Sequence, residues 1–179
     1  MLPSAHVEFT WAAANALQRS RHGTAQQDLD YRLLALAALL PDLIDKPLAV
    51  FALRDSKAAL LYGHTLLLHL AVWGGATATG RLRRWWPYLL AFSGHLAADR
   101  MWGFAHTLLW PLRGRQFHQW KDVGSPEAFL RAYADIIRSE PKLVALEAVG
   151  LALLVGVIAD RKLYRKSVLS RFLRTGKVE

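Results

Sequence analysis

The sequence predicts an all-α fold, a polytopic membrane helix bundle of about four to five membrane-embedded helices with a broken helix at Pro41–Pro47. Three observations carry that expectation. Hydrophobic residues make up 53% of the 179-residue chain, yet charged residues still reach 21%, so the apolar content must be concentrated. It gathers in blocks at 33–53, 58–79, 85–110 and 143–159, each near the ~20 residues that a spanning helix needs. Lys and Arg then collect at the block ends, a topology pattern rather than a nucleic-acid stripe, so the net charge of +9 is not read as nucleic-acid binding. With no Cys there is no disulfide framework, and a metal must be held by His, Asp or Glu.

In order, residues 5–18 read as a first helix with Ser4 as N-cap, and its polar residues argue against a cleaved signal peptide. Glu8 is read as a solvated helix-end residue, and Arg19, Arg21 and His22 with Gly23 as its stop. Block 33–53 contains Leu39-Leu40-Pro41-Asp42-Leu43-Ile44-Asp45-Lys46-Pro47. Two prolines predict a break, and Asp42 and Asp45 share a face if the turn is helical. Block 58–79 carries Gly63-His64-Thr65 and then His69, which the spacing sets on a different face from His64. Its Gly74, Gly75, Ala76 and Ala78 offer a surface for close helix packing. Arg81, Arg83 and Arg84 lead through Trp85-Trp86-Pro87, an interfacial aromatic belt, into the central block. There His95 and Asp99 stand one helical turn apart, Arg100 follows, and His106 lies roughly on the same stripe as a weaker candidate. Ser125-Pro126-Glu127 opens an amphipathic helix at about 125–140. The last block contains Glu147. The chain divides into a membrane-embedded domain, 1–160, and a basic tail, 161–179.

With the tail assigned to the cytoplasm, the inside segments (Arg19, Arg21, Arg32, Arg81, Arg83, Arg84 and the tail) hold more Lys and Arg than the outside ones. That orientation sets His6, Asp42, Asp45, His64, His95 and Asp99 at compatible depths, converging on a cavity open to the extracytoplasmic side. Ionisable groups in apolar segments are costly and mark functional sites by default. His and carboxylate ligands without thiolate suit a divalent metal, Zn2+ first, with Mn or Fe as alternatives, as one ion or as two ~4 Å apart. An aspartate outside the ligand set, Asp45 or Asp99, serves as general base. Arg100 or Lys46 holds anionic charge on the substrate. His22, His69 and His118 are expected not to be ligands.

The motifs Leu-Leu-Pro-Asp-x-x-Asp-Lys-Pro, Gly-His-Thr and Gly-His-x-x-x-Asp-Arg-Met-Trp, followed by Leu-Leu-Trp-Pro-Leu, resemble those of a family of small inner-membrane proteins described as membrane-bound metal-dependent hydrolases. The resemblance covers roughly residues 1–112 and includes the histidine of the first helix. It implies a multi-pass inner-membrane protein whose metal-ligand candidates are His6, Asp42, Asp45, His64, His95 and Asp99. The commoner pattern has Pro-Asp-x-Asp-His, where this chain has one more residue between the acids and Lys46 in place of His. The resulting expectation is a metal-dependent hydrolase of a lipid-borne phosphoester or ester, partnered by membrane lipid and capable of homo-oligomerisation. The alternative is a non-enzymatic membrane protein, a metal or proton carrier or structural partner, using the same polar groups.

Overall fold

In the computed structural model, which describes residues 1–20, 29–53, 57–119 and 125–178, every regular element is helical. The α-helices are α1 (Pro3–Ser20), α2 (Tyr31–Pro47), α3 (Leu66–Ala78), α4 (Leu82–Ala98), α5 (Ala105–Leu108), α6 (Pro126–Ser139), α7 (Pro141–Asp160) and α8 (Lys166–Thr175). α1 packs against both α2 and α7, and α4 against α2 and α3. Contacts along their length fix the directions. Tyr88 of α4 meets Asp30 before α2, and His95 meets Ala38, so α2 and α4 run parallel. Ser4 meets Glu147, and Asn15 meets Asp160, so α1 and α7 run parallel to each other; His6 beside His95 and Gln18 beside Tyr31 set α1, and α7 with it, opposite to α2 and α4. Arginines crowd one end of the bundle, where Arg19 pairs with Asp160 at 2.6 Å. His6, Asp42, His95 and Asp99 all lie toward the other end.

Among the described residues, α7 is the one helix long and apolar enough to cross a membrane by length and composition. The sequence blocks suggested four or five. They shorten because polar groups end them: α2 and α4 have 17 residues each, and α3 has 13. The central block does not continue as one helix, because Arg100 adopts a left-handed conformation (φ 52°) that turns the chain. α2 is also continuous where a break was expected. Pro41 sits inside it and gives up one backbone bond, and the chain leaves the helix only after Pro47, through a wide turn at 48–52. Leu67 and Leu70 of α3 and Val149, Leu151 and Val155 of α7 are exposed, an apolar belt of the kind that lipid covers.

Two further expectations change. Gly74 and Gly75 face open space, so among the described residues no helix packs on them. Glu8 is buried instead of solvated, because α7 approaches α1 closely at Gly150, where a side chain would collide with the Glu8 carboxylate. The predicted amphipathic helix is α6, capped by Ser125, whose Oγ accepts from Ala128 N at 3.1 Å.

The basic tail is folded. α8 lies across the arginine end, with Phe172 and Val178 buried beside Leu29, Tyr31 and Leu34. Tyr31 N donates to Gly176 O at 2.8 Å. Asp30 caps α2 and pairs with Arg32, whose hydrogen bond holds the Asp30 carboxyl below its usual range. Gly176 has φ 74°, and a Cβ there would fall 1.7 Å from Asp30 Oδ1. Gly176→Ala is therefore expected to undock α8, since a left-handed Ala alone costs about 1–2 kcal/mol. The readout is limited trypsinolysis, with cleavage after Arg171 and Arg174 faster by about tenfold or more, the equivalent of ~1.4 kcal/mol. Unchanged cleavage would mean that the tail docks independently of this contact.

Candidate metal centre

The centre is assembled by α2, the short stretch 61–64 and the C-terminal turn of α4. Asp42 and Asp45 leave α2 on the same side, as their spacing requires. Gly63 lets the chain cross α2, because a Cβ there would lie 2.5 Å from the Pro41 carbonyl oxygen. His64 is thereby carried over Asp45, and Thr65 caps α3 through its Oγ.

Asp45 is fully buried, and its carboxylate accepts from Leu61 N, Gly63 N and His64 Nδ1 at 2.5, 2.6 and 2.7 Å. His95 Nδ1 faces the Ala38 carbonyl at 2.7 Å. A carbonyl only accepts, so Nδ1 of His95 carries the proton, and the carboxylate imposes the same tautomer on His64. Each neutral ring then presents a bare Nε2. Those two nitrogens face each other at 3.1 Å. Asp99 Oδ2 lies 3.3 Å from His95 Nε2 and 3.5 Å from His64 Nε2, and Asp42 Oδ1 lies 3.8 Å from both.

With both rings neutral, four acceptors converge with no donor among them, which is unfavourable unless a cation stands between them. Their ligand atoms all lie within 4.8 Å of one another. A tetrahedral zinc with bonds of ~2.0–2.1 Å has edges of about 3.3 Å, close to the distances found. The cluster can hold a metal ion, and its donor set is nitrogen and carboxylate oxygen.

His6 closes the near side. Its ring stacks on His95 at 3.8 Å, and its buried Nε2 lies 3.2 Å from Asp99 Oδ1. The amino group of Met1 also reaches Asp99 Oδ1, at 2.6 Å. Of the six sequence candidates, Asp42, His64, His95 and Asp99 meet, His6 adjoins them, and Asp45 stands one layer out as the orienter of His64. Arg100 is exposed at its turn. His106 is exposed too, beside the Arg113 carbonyl, because the turn at Arg100 ends the α4 stripe.

This arrangement agrees with the relationship of the whole sequence, 163 residues of which match a single family model. The chain belongs to the YdjM inner membrane protein family. The match covers residues 1–163 and so includes every group in the centre. No curated protein and no solved structure is significantly similar to the chain.

Beside the centre, this YdjM-family protein has a cavity of about 290 Å3 with Asp42, Lys46, Asp99 and Tyr133 on its polar side. Lys46 Nζ bonds Asp42 Oδ2 and lies 5.1 Å over the Tyr133 ring. The apolar walls include Leu60, Phe104 and Ile136. Tyr133 and Ile136 come from α6, so the amphipathic helix covers the centre. Their place at the site was not read from the sequence, although the apolar face of α6 already needed a partner. His118 lines the same cavity, away from the four ligand atoms.

His69 belongs to the support of the centre. Its Nε2 donates to Gly63 O at 3.0 Å, Nδ1 pairs with Ser93 Oγ at 3.0 Å, and the ring stacks on Phe92. His69→Gln is expected to leave bound metal unchanged by elemental analysis while lowering the melting temperature by several degrees, about 1 kcal/mol for a lost buried bond. Loss of metal would make His69 part of the centre. His22, which carried the same expectation, lies outside the described residues.

Proposed function

We propose that this protein is an integral-membrane, metal-dependent hydrolase of a lipid-borne phosphoester or ester, with its centre open to the extracytoplasmic side and its C-terminus in the cytoplasm. The observation that carries the reading is the convergence of four acceptor atoms at zinc-like spacing on the wall of an amphiphilic cavity. In this reading α1, α2, α3, α4 and α7 are the membrane-embedded helices, and the arginine-rich end faces inward.

His64, His95 and Asp99 form the tight trio that would hold the ion, as three protein ligands do in catalytic zinc sites. A divalent metal there supplies Lewis acidity toward a phosphoryl or acyl oxygen and makes water more acidic. Asp42, the most distant of the four and a lining residue of the cavity, is placed to take a proton from water. Asp45 keeps His64 in the tautomer that presents Nε2. Lys46 holds Asp42 in the resting cavity and binds substrate anion charge there, whereas Arg100 is exposed and does not line that cavity. Phe104, Ile136 and Leu60 exclude bulk water.

The test uses zinc-loaded protein in detergent micelles with phospholipids and lipid esters, following released phosphate or free acid. Asp42→Asn is expected to keep its metal and lose turnover by about 10²–10⁴-fold, the range for a general base. Lys46→Ala is expected to raise KM for anionic lipids more than it lowers kcat. Stoichiometric metal with no turnover on any of these lipids would overturn the hydrolase and favour a metal carrier.

A further inference from the structure

The centre has a second cavity on its other side, between α1 and α4, also about 290 Å3. It begins at His6 and His95, passes Ala13 and Gly94, and ends at Leu17 and Trp86. Beyond the two histidines, Thr10 is the single hydroxyl in an otherwise apolar wall. The groove exists because the facing positions are small, and a Cβ on Gly94 would meet nothing within 4 Å. The groove opens at the surface, where Ala13, Leu90 and Gly94 are exposed, so at membrane depth the surrounding lipid reaches it. Its apolar walls do not retain water.

Its shape selects the occupant. From His6 to Leu17, α1 rises roughly 16 Å, about half of the ~30 Å hydrocarbon core. Spread along that length, the groove's empty space of about 840 Å3 is roughly 8 Å across. A helix of about 10 Å diameter does not fit in it, whereas an extended hydrocarbon chain does. The two cavities also differ in chemistry, for the one beside Lys46 carries charged and hydroxyl groups along one side, whereas the α1–α4 groove beyond its histidine end is apolar except for Thr10. Met1 lines both, Asp42 and Asp99 face the first, and His6 and His95 face the second.

We infer that the α1–α4 groove holds one acyl chain of a membrane lipid while the lipid's anionic headgroup lies in the Lys46 cavity, so that the ester linking the two crosses the metal cluster. The inference rests on the lipid-hydrolase reading for the identity of the headgroup's bond, but occupancy of the groove does not depend on turnover. The substrate class it names is an amphiphile with at least one long chain; water-soluble phosphoesters fill only half of the site.

The test is photolabelling of the full chain, as wild type and as Asp42→Asn, in phosphatidylethanolamine–phosphatidylglycerol vesicles. The vesicles contain a trace of phospholipid with a diazirine at the end of one acyl chain. Tryptic cleavage after Arg19, Arg84, Arg100, Lys142 and Arg161 separates α1, α4 and α7. Adducts are expected on α1 and α4 near Leu17 and Trp86, and on the exposed face of α7 from surrounding lipid. Gly94→Phe, and independently Ala13→Leu, should cut the α1 and α4 adducts about tenfold and leave the α7 adducts and the bound metal unchanged. Retained metal reports that the variant has folded. Labelling of α1 and α4 that neither substitution reduces, or that never exceeds labelling of α7, would overturn the groove. Groove labelling without hydrolysis by the wild type would overturn the hydrolase reading alone.

Discussion

His95→Ala and Asp99→Ala are each expected to bring the metal content of detergent-purified protein from about one equivalent to none, and hydrolysis with it. The physical argument is the mutual orientation of the acceptors. His64 Nε2 and His95 Nε2 stand 3.1 Å apart, with protons fixed on the far side of both rings. Asp99 Oδ2 completes the tightest triangle, within 3.5 Å of both nitrogens. Removing either residue takes away one corner and leaves too few donors for a stable site. Thermal stability gives a second readout that needs no substrate. At a zinc concentration a thousand times Kd, binding stabilises the native protein by about 4 kcal/mol, and neither variant should gain that shift. Arg100→Ala serves as the control, because its exposed turn touches none of the four ligand atoms, and should keep full metal. Variants that retain stoichiometric zinc would mean that the acceptors are held together by shared protons, with no ion between them.

Much of this centre was legible in the sequence because it depends on short-range spacing. One helical turn separates His95 from Asp99, and Asp42 and Asp45 are three positions apart, so each pair had to share a face wherever the chain was helical. The amphipathic pattern of α6 and its Ser125 cap were equally local. What remained hidden depends on contacts between distant segments. Nothing near Asp45 in the chain tells that Leu61 N and Gly63 N will occupy its oxygens, so Asp42 and Asp45 looked equivalent. Glu8 looked solvated because its burial depends on Gly150, more than a hundred residues away. Pro41 looked like a break because proline removes a bond, yet one lost bond is tolerated in a helix packed between α1 and α4. Arg100 and Lys46 both offered a positive charge for a substrate anion; the left-handed turn leaves Arg100 exposed, whereas Lys46 lines the cavity.

Asp45 is the position at which stability and metal binding are expected to fail together. Its carboxylate is the only acceptor for Leu61 N, Gly63 N and His64 Nδ1 among the described residues. Asp45→Ala would leave all three donors buried and unpaired at about 1–3 kcal/mol each, a large part of the 5–15 kcal/mol that holds a typical domain together. The expected outcome is little or no folded protein in detergent. Asp45→Asn is the informative variant, because it keeps the shape and one strong acceptor while turning the other oxygen into a donor. His64 then loses the partner that fixes its tautomer, and zinc affinity is expected to fall by about 10–100-fold, the usual effect of losing a residue that orients a metal ligand. Titration separates that role from direct ligation. If Asp45 acts through His64, raising free zinc in equilibrium dialysis restores full occupancy of Asp45→Asn, because the donor atoms of His64, His95 and Asp99 are all still present. If Asp45 were itself a ligand, occupancy would stay low at every zinc concentration the wild type needs for saturation and far above it, and the assignment of Asp42 to the centre in its place would fall.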